Sequence, residues 1–148
     1  MMPNVDLATL AGKLWAFAVL FLTLKMLVLA ALTSRARLRS RTFASPEDYA
    51  QQGLAVRSER DADVERHRRA HRNDLENVLP FFAVGAIYAA TGPSDLGAWL
   101  CLAGFAAARL LHTVFYLRGA MPHRTLAYAY GYFATVWMAL SAGWRLIA

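Results

Sequence analysis

Apolar residues in this chain of 148 gather into four long runs, and the charged residues gather between them. Leu7 to Leu32 carries charge only at Lys13 and Lys25. Val78 to Ala90 carries none. Leu96 to Leu117 contains one arginine and one histidine, and Leu126 to Ile147 contains only Arg145. A helix rises 1.5 Å per residue, so about 20 residues cross the roughly 30 Å hydrocarbon layer of a bilayer. The first, third and fourth runs are long enough on their own. Val78 to Ala90 spans only about 20 Å. Its helix must therefore continue backwards into ERHRRAHRNDLE, Glu65 to Glu76, from which no Gly, Ser or Pro linker separates it. A soluble four-helix bundle needs a polar face on every helix. Leu100 to Ala108 and Leu126 to Trp144 have no charge at all, so the pattern predicts an all-α integral membrane four-helix bundle. A single domain is expected, with spans near 7–33, 64–90, 95–118 and 123–147 and a connection at 34–63.

Charge orients this bundle. Apolar residues are 57% of the chain and the formal net charge is +6, but the sign is unevenly placed. Ten of the sixteen basic residues fall between Arg35 and Arg72, none in Thr91 to Asp95, and two between Arg118 and Arg124. The positive-inside bias then puts the first and third connections in the cytoplasm and both termini outside. A secretory signal is not indicated, because the cluster RARLRSR follows the first apolar run instead of preceding it. Within the first connection, SPED at Ser45 to Asp48 predicts a helix start, with Ser as N-cap, Pro in the first turn and acids after it. Gly53 is its expected stop and Asp63 the expected N-cap of the second span.

The extension of the second helix carries the chemistry. It puts Arg72, Asn73 and Glu76 at or inside the membrane boundary, where ionisable groups face protein or a water-filled cavity. Arg69, Arg72, Asn73 and Glu76 stand at i, i+3, i+4 and i+7, on one helix face. A basic helix resting on anionic headgroups explains the arginines, but not Asn73 and Glu76. Pro80 frees the carbonyl of Glu76. On the third helix Arg109, His112 and Tyr116 repeat the i, i+3, i+7 spacing, and a plain ion pair of Arg109 with Glu76 is the alternative there. At the start of the fourth stand Pro122, Arg124, Thr125 and Tyr128, where a helix N-terminus welcomes an anion. On the first helix Lys25 is either paired inside the bundle or reaches toward the site, and Arg37 follows at the cytoplasmic end. Phosphate-binding Gly loops and HExxH or CxxC spacings are missing. His67 and His71 have no evident third ligand, so no metal is expected. The lone Cys101 reads as a packing residue. The basic residues sit at membrane ends, which argues against nucleic acid.

These segments also carry a resemblance. VERHRRAHRNDLENVLPF at Val64 to Phe82 and ARLLHTVFY at Ala108 to Tyr116 resemble the second- and third-helix signatures of the MAPEG family, membrane-associated proteins of eicosanoid and glutathione metabolism. LKMLVLAALTSRARLRSRTFASPED at Leu24 to Asp48 is similar to its prostaglandin E synthase branch. NDLEN and GYFATVWMAL look more like its glutathione transferase branch, and Thr125 stands where the synthase has a serine. The resemblance implies a homotrimer, with glutathione between neighbouring chains near the cytoplasmic side. Arg72, Asn73, Glu76, His112 and Tyr116 would hold the tripeptide, with Arg37 and Arg69 lining the pocket. Arg124 matches the family's catalytic arginine and Tyr128 the tyrosine one turn later.

The implied activity is that of a membrane glutathione transferase or peroxidase, in the endoplasmic reticulum or a bacterial inner membrane. A free cysteine thiol is only about 3% ionised at pH 7. Lowering its pKa by two units takes about 2.7 kcal/mol of preferential thiolate stabilisation. Arg124, assisted by Thr125 and the amides of the fourth helix start, is assigned that task. The thiolate would meet a lipophilic electrophile or lipid hydroperoxide arriving from the bilayer. A prostaglandin E synthase-type isomerase, with Asp48 handling a proton, is the alternative. A non-catalytic lipid-binding relative would not need the Arg–Asn–Glu face.

Overall fold

The computed structural model describes residues 4–57 and 61–148, and all regular structure among them is helical. Helix α1 is Leu10–Ser40, α2 Pro46–Gln51, α3 Ala62–Ala90, α4 Asp95–Arg118 and α5 His123–Ile147. Four of these are long and pack side by side in alternating direction. The C-terminal ends of α1 and α4 therefore lie beside the N-terminal ends of α3 and α5. Arg66, in the first turns of α3, donates to the Leu117 carbonyl near the end of α4 at 3.2 Å. All regions that attract chemical interest share this end.

Local sequence explains most boundaries. Thr9 caps α1 by accepting from the Gly12 amide at 3.0 Å. The helix runs through residue 40 instead of stopping near 33, because RARLRS contains good helix formers and no breaker. It ends where Arg41 turns left-handed, at φ 51°. Ser45 and Asp48 exchange the paired side-chain-to-amide bonds of a capping box, at 3.4 and 3.3 Å, and start α2 after the expected cap. Tyr49 then buries itself edge-on against Phe43. Gly53, the expected stop, has φ +62°. Asp61 caps α3, taking the amides of Asp63 and Val64 at 2.9 and 3.1 Å. The expected cap, Asp63, lies instead inside the first turn, where its charge suits the helix dipole. The helix continues through Pro80 without interruption.

Helix α4 contains one widened π turn at Trp99–Ala103. The Tyr130 hydroxyl of α5 donates to the Leu100 carbonyl there, at 2.9 Å. Gly104 makes the approach possible, since a methyl group at that position would collide with the tyrosine oxygen. Buried Cys101 is a free thiol packed within the same turn.

Leu22, Val78, Leu102 and Met138 are completely buried and tie the four long helices together. Phe81 and Phe105 stack at 4.0 Å between α3 and α4. Outside, Leu20, Leu24 and Leu27 of α1 and Phe133, Trp137, Leu140 and Trp144 of α5 are exposed. Such apolar outer faces suit lipid or a neighbouring chain, not water. By length and composition, α1 and α4 qualify as membrane spans. Helix α3, whose first half is charged, and α5, where Tyr, Trp, Gly and Ser dilute the aliphatic residues, are less apolar.

Candidate functional site

A cleft of about 620 Å³ opens between the C-terminal end of α1 and the N-terminal half of α3. Ala30, Thr33, Arg37, Arg69, His71 and Arg72 are among the residues that line it. Arg37 reaches it because α1 does not stop at 33. Arg68 is engaged by Glu65 at 2.7 Å. Arg37, Arg69 and Arg72 form no ion pair among the described residues. Several free guanidiniums around a hollow of ordinary ligand size fit a small molecule with more than one carboxylate. That is what the charge and bulk of glutathione require. Among the described residues no cluster of three metal-ligating side chains occurs.

A second group forms where α4 ends and α5 begins. The His112 ring lies 5.6 Å from the Tyr116 ring and 6.2 Å from the Tyr128 ring, centroid to centroid. The Arg124 guanidinium sits over the Tyr116 ring at 4.8 Å, a cation–π contact that holds a positive charge at the first turn of α5. Thr125 is exposed, and its hydroxyl donates to the Met121 sulfur at 3.5 Å. The His112 Nδ1 is buried with no hydrogen-bond partner among the described residues.

Between the two groups lies a closed polar core. Asp74 accepts from Lys25 Nζ at 2.5 Å through one oxygen, and from Arg109 Nη2 at 2.7 Å through the other. Arg109 Nη2 also donates to Asn73 Oδ1 at 2.6 Å, and the Thr113 hydroxyl approaches Asp74 at 3.4 Å. Asp74 and Arg109 are completely buried and Lys25 nearly so. Lys25 is thus paired inside the bundle. The pairing considered for Arg109, with Glu76, does not occur. Glu76 is exposed, two residues along the helix and on another face.

The sequence candidates therefore separate on one chain. Arg37, Arg69 and Arg72 meet in the cleft. His112, Tyr116, Arg124 and Tyr128 meet at the α4–α5 end. Asn73 is attached to the buried core, Glu76 is on an open face of α3, and Asp48 is occupied in the capping box. Sequence reasoning missed Asp74, although a signal exists. Asp74, Val78, Phe81, Gly85 and Tyr88 follow the 4, 3, 4, 3 spacing of an inward stripe, and all five are buried. Two mid-span cations, Lys25 and Arg109, need an anion on such a stripe.

Comparison with known proteins agrees with the resemblance drawn above. Residues 15–144 match the MAPEG family. Prostaglandin E synthase of Homo sapiens is 38% identical over 147 residues, covering 97% of each chain. The same enzyme of Rattus norvegicus is 40% identical over 126 residues, 84% of this chain and 82% of its own. Microsomal glutathione S-transferase 1 of Mus musculus is 39% identical over 129 residues, 84% of this chain and 83% of its own. The chain belongs to the MAPEG family, membrane proteins whose members use glutathione.

Proposed function

We propose that this protein is a glutathione-dependent membrane enzyme that isomerises a lipid endoperoxide, in the manner of a prostaglandin E synthase. The observation that carries the reading is the Arg124 guanidinium, held over Tyr116 at the same bundle end as the free arginines of the α1–α3 cleft. Near full-length similarity to prostaglandin E synthases favours isomerisation over the transferase reading reached from sequence.

In this reading all four long helices span the bilayer, with the shared end cytoplasmic and both termini outside. Glu76 and Arg72 are exposed on a single chain, and an apolar stripe covers α5. A neighbouring copy would cover those faces, and the family resemblance makes the working unit a homotrimer with sites between chains. Arg37, Arg69 and Arg72 bind carboxylates of the tripeptide. Glu76 holds its ammonium group, and Asn73, His112, Tyr116 and Tyr128 orient its backbone. Glutathione supplies a sulfur nucleophile. Arg124 favours the ionised thiol by about 2.7 kcal/mol if it lowers the thiol pKa by two units. The Thr125 hydroxyl, turned toward Met121, must rotate to assist. The bilayer delivers the apolar substrate.

Conjugation or peroxide reduction is the second reading, supported by similarity to microsomal glutathione S-transferase 1. One experiment separates the two. Purified protein is incubated with glutathione and, in parallel, a prostaglandin endoperoxide, a lipid hydroperoxide and an aromatic electrophile. Formation of the hydroxyketone isomer without net consumption of glutathione supports isomerisation. A thioether or an alcohol with stoichiometric glutathione loss supports the second reading. An absence of any glutathione-dependent product overturns both.

A further inference from the structure

Arg109 Nη2 carries two protons, and each has a distinct acceptor, Asp74 Oδ1 at 2.7 Å and Asn73 Oδ1 at 2.6 Å. A guanidinium can only donate, so the end of the Asn73 amide facing it must be the carbonyl. The NH2 end of Asn73 then points the other way, and it makes no hydrogen bond among the described residues. Asn73 is half-buried and lies beside the cleft between two of its lining residues, Arg72 and Leu75, without lining it on a single chain. An amide left to itself presents either end with nearly equal packing. Here the choice is made from behind, by a buried cation fixed on a buried carboxylate.

We propose that Arg109 is a positioning residue for ligand recognition: anchored by Asp74, it locks the Asn73 amide so that two N–H donors face the glutathione pocket. The ligand group they suit is a carboxylate or peptide carbonyl, not the ammonium. This rests on the glutathione reading above. Arg109 is completely buried, and of the two side chains it hydrogen-bonds, Asp74 is completely buried too, so Asn73 is the one placed to carry its effect to a ligand.

The test is a double-mutant cycle read by glutathione calorimetry and by steady-state kinetics on the intact purified protein. Arg109→Met leaves Lys25 facing Asp74, one cation to one anion, so no buried charge is left without a counter-charge. The substitution should raise Kd and KM for glutathione roughly tenfold, the size of one hydrogen bond to a charged group, with kcat at saturating glutathione little changed. In an Asn73→Ala background the same substitution should change Kd by less than about twofold. Lys25→Met is the control. It also removes one buried cation, but Lys25 hydrogen-bonds neither Arg109 nor Asn73, and Kd should not move. Equal losses in the native and the Asn73→Ala backgrounds, or an equal loss from Lys25→Met, overturn the proposal. Should Arg109→Met not fold, Asn73→Asp decides: it keeps an oxygen for Arg109, replaces the donors by an acceptor, and should abolish binding, whereas unchanged binding overturns the proposal. A native protein with no saturable glutathione binding removes the functional reading itself. Native binding without coupling removes only the positioning role.

Discussion

Asp74 and Glu76 are two residues apart on one helix and have opposite surroundings. Asp74 is enclosed by Lys25, Arg109 and Thr113 with no exposed surface. Glu76 is exposed, and no hydrogen bond or ion pair engages it among the described residues. Two residues turn a helix by about 200°, so one carboxylate faces the bundle and the other faces out. The inner one holds the fold, since two cations depend on it. The outer one is free to serve a ligand. Ionisable residues in membrane segments are often read together as functional, but register divides this set into buried, paired members and exposed, unpaired ones.

The sharpest way to break that division is Asp74→Ala. It leaves two buried cations without a counter-charge and should cost about 3–5 kcal/mol, seen as loss of folded protein or a large drop in the unfolding midpoint in detergent. Arg124→Ala should lower turnover at pH 7 about 25-fold, because a thiol about 3% ionised without it would be about three-quarters ionised with its pKa two units lower, while calorimetry shows glutathione binding largely retained. Unchanged turnover would remove Arg124 from the mechanism. Glu76→Gln should weaken glutathione binding about tenfold, as one charge-assisted bond implies, without moving the unfolding midpoint. An effect on stability comparable to that of Asp74→Ala would erase the distinction between the two acids. Tyr130→Phe is the smallest change. It loses the bond to the Leu100 carbonyl, should cost about 1 kcal/mol, and should leave glutathione binding alone.

The long helices are readable in the sequence because hydrophobic runs and charge blocks alternate so plainly. The need for α3 to start in the charged segment follows from arithmetic on Val78 to Ala90, and the helix does start at Ala62. Less readable are the ends. Arg and Ala continue a helix as well as they leave one, which is why α1 reaches Ser40. Asp61 and Asp63 are both good caps by type, and only geometry chooses between them. The partner of Arg109 is hard to pick from sequence because Glu76 shares its helix face with the other polar candidates, whereas Asp74 lies on the apolar stripe. The grouping of the site is only partly visible. Spacing along one helix says which residues are neighbours there, but not which helix ends come together or which faces a second chain would complete.

The π turn at Trp99–Ala103 sets the aim of everything that follows it on α4. One surplus residue in that turn sets the rest of the helix back by about 100° relative to regular winding. Arg109, His112 and Tyr116 owe their bearing to this offset. Winding that turn regularly without losing a residue would swing all three away from α3 and α5 at once, though none of them had been altered; deleting one residue there would restore an ordinary turn and leave their bearing as it is.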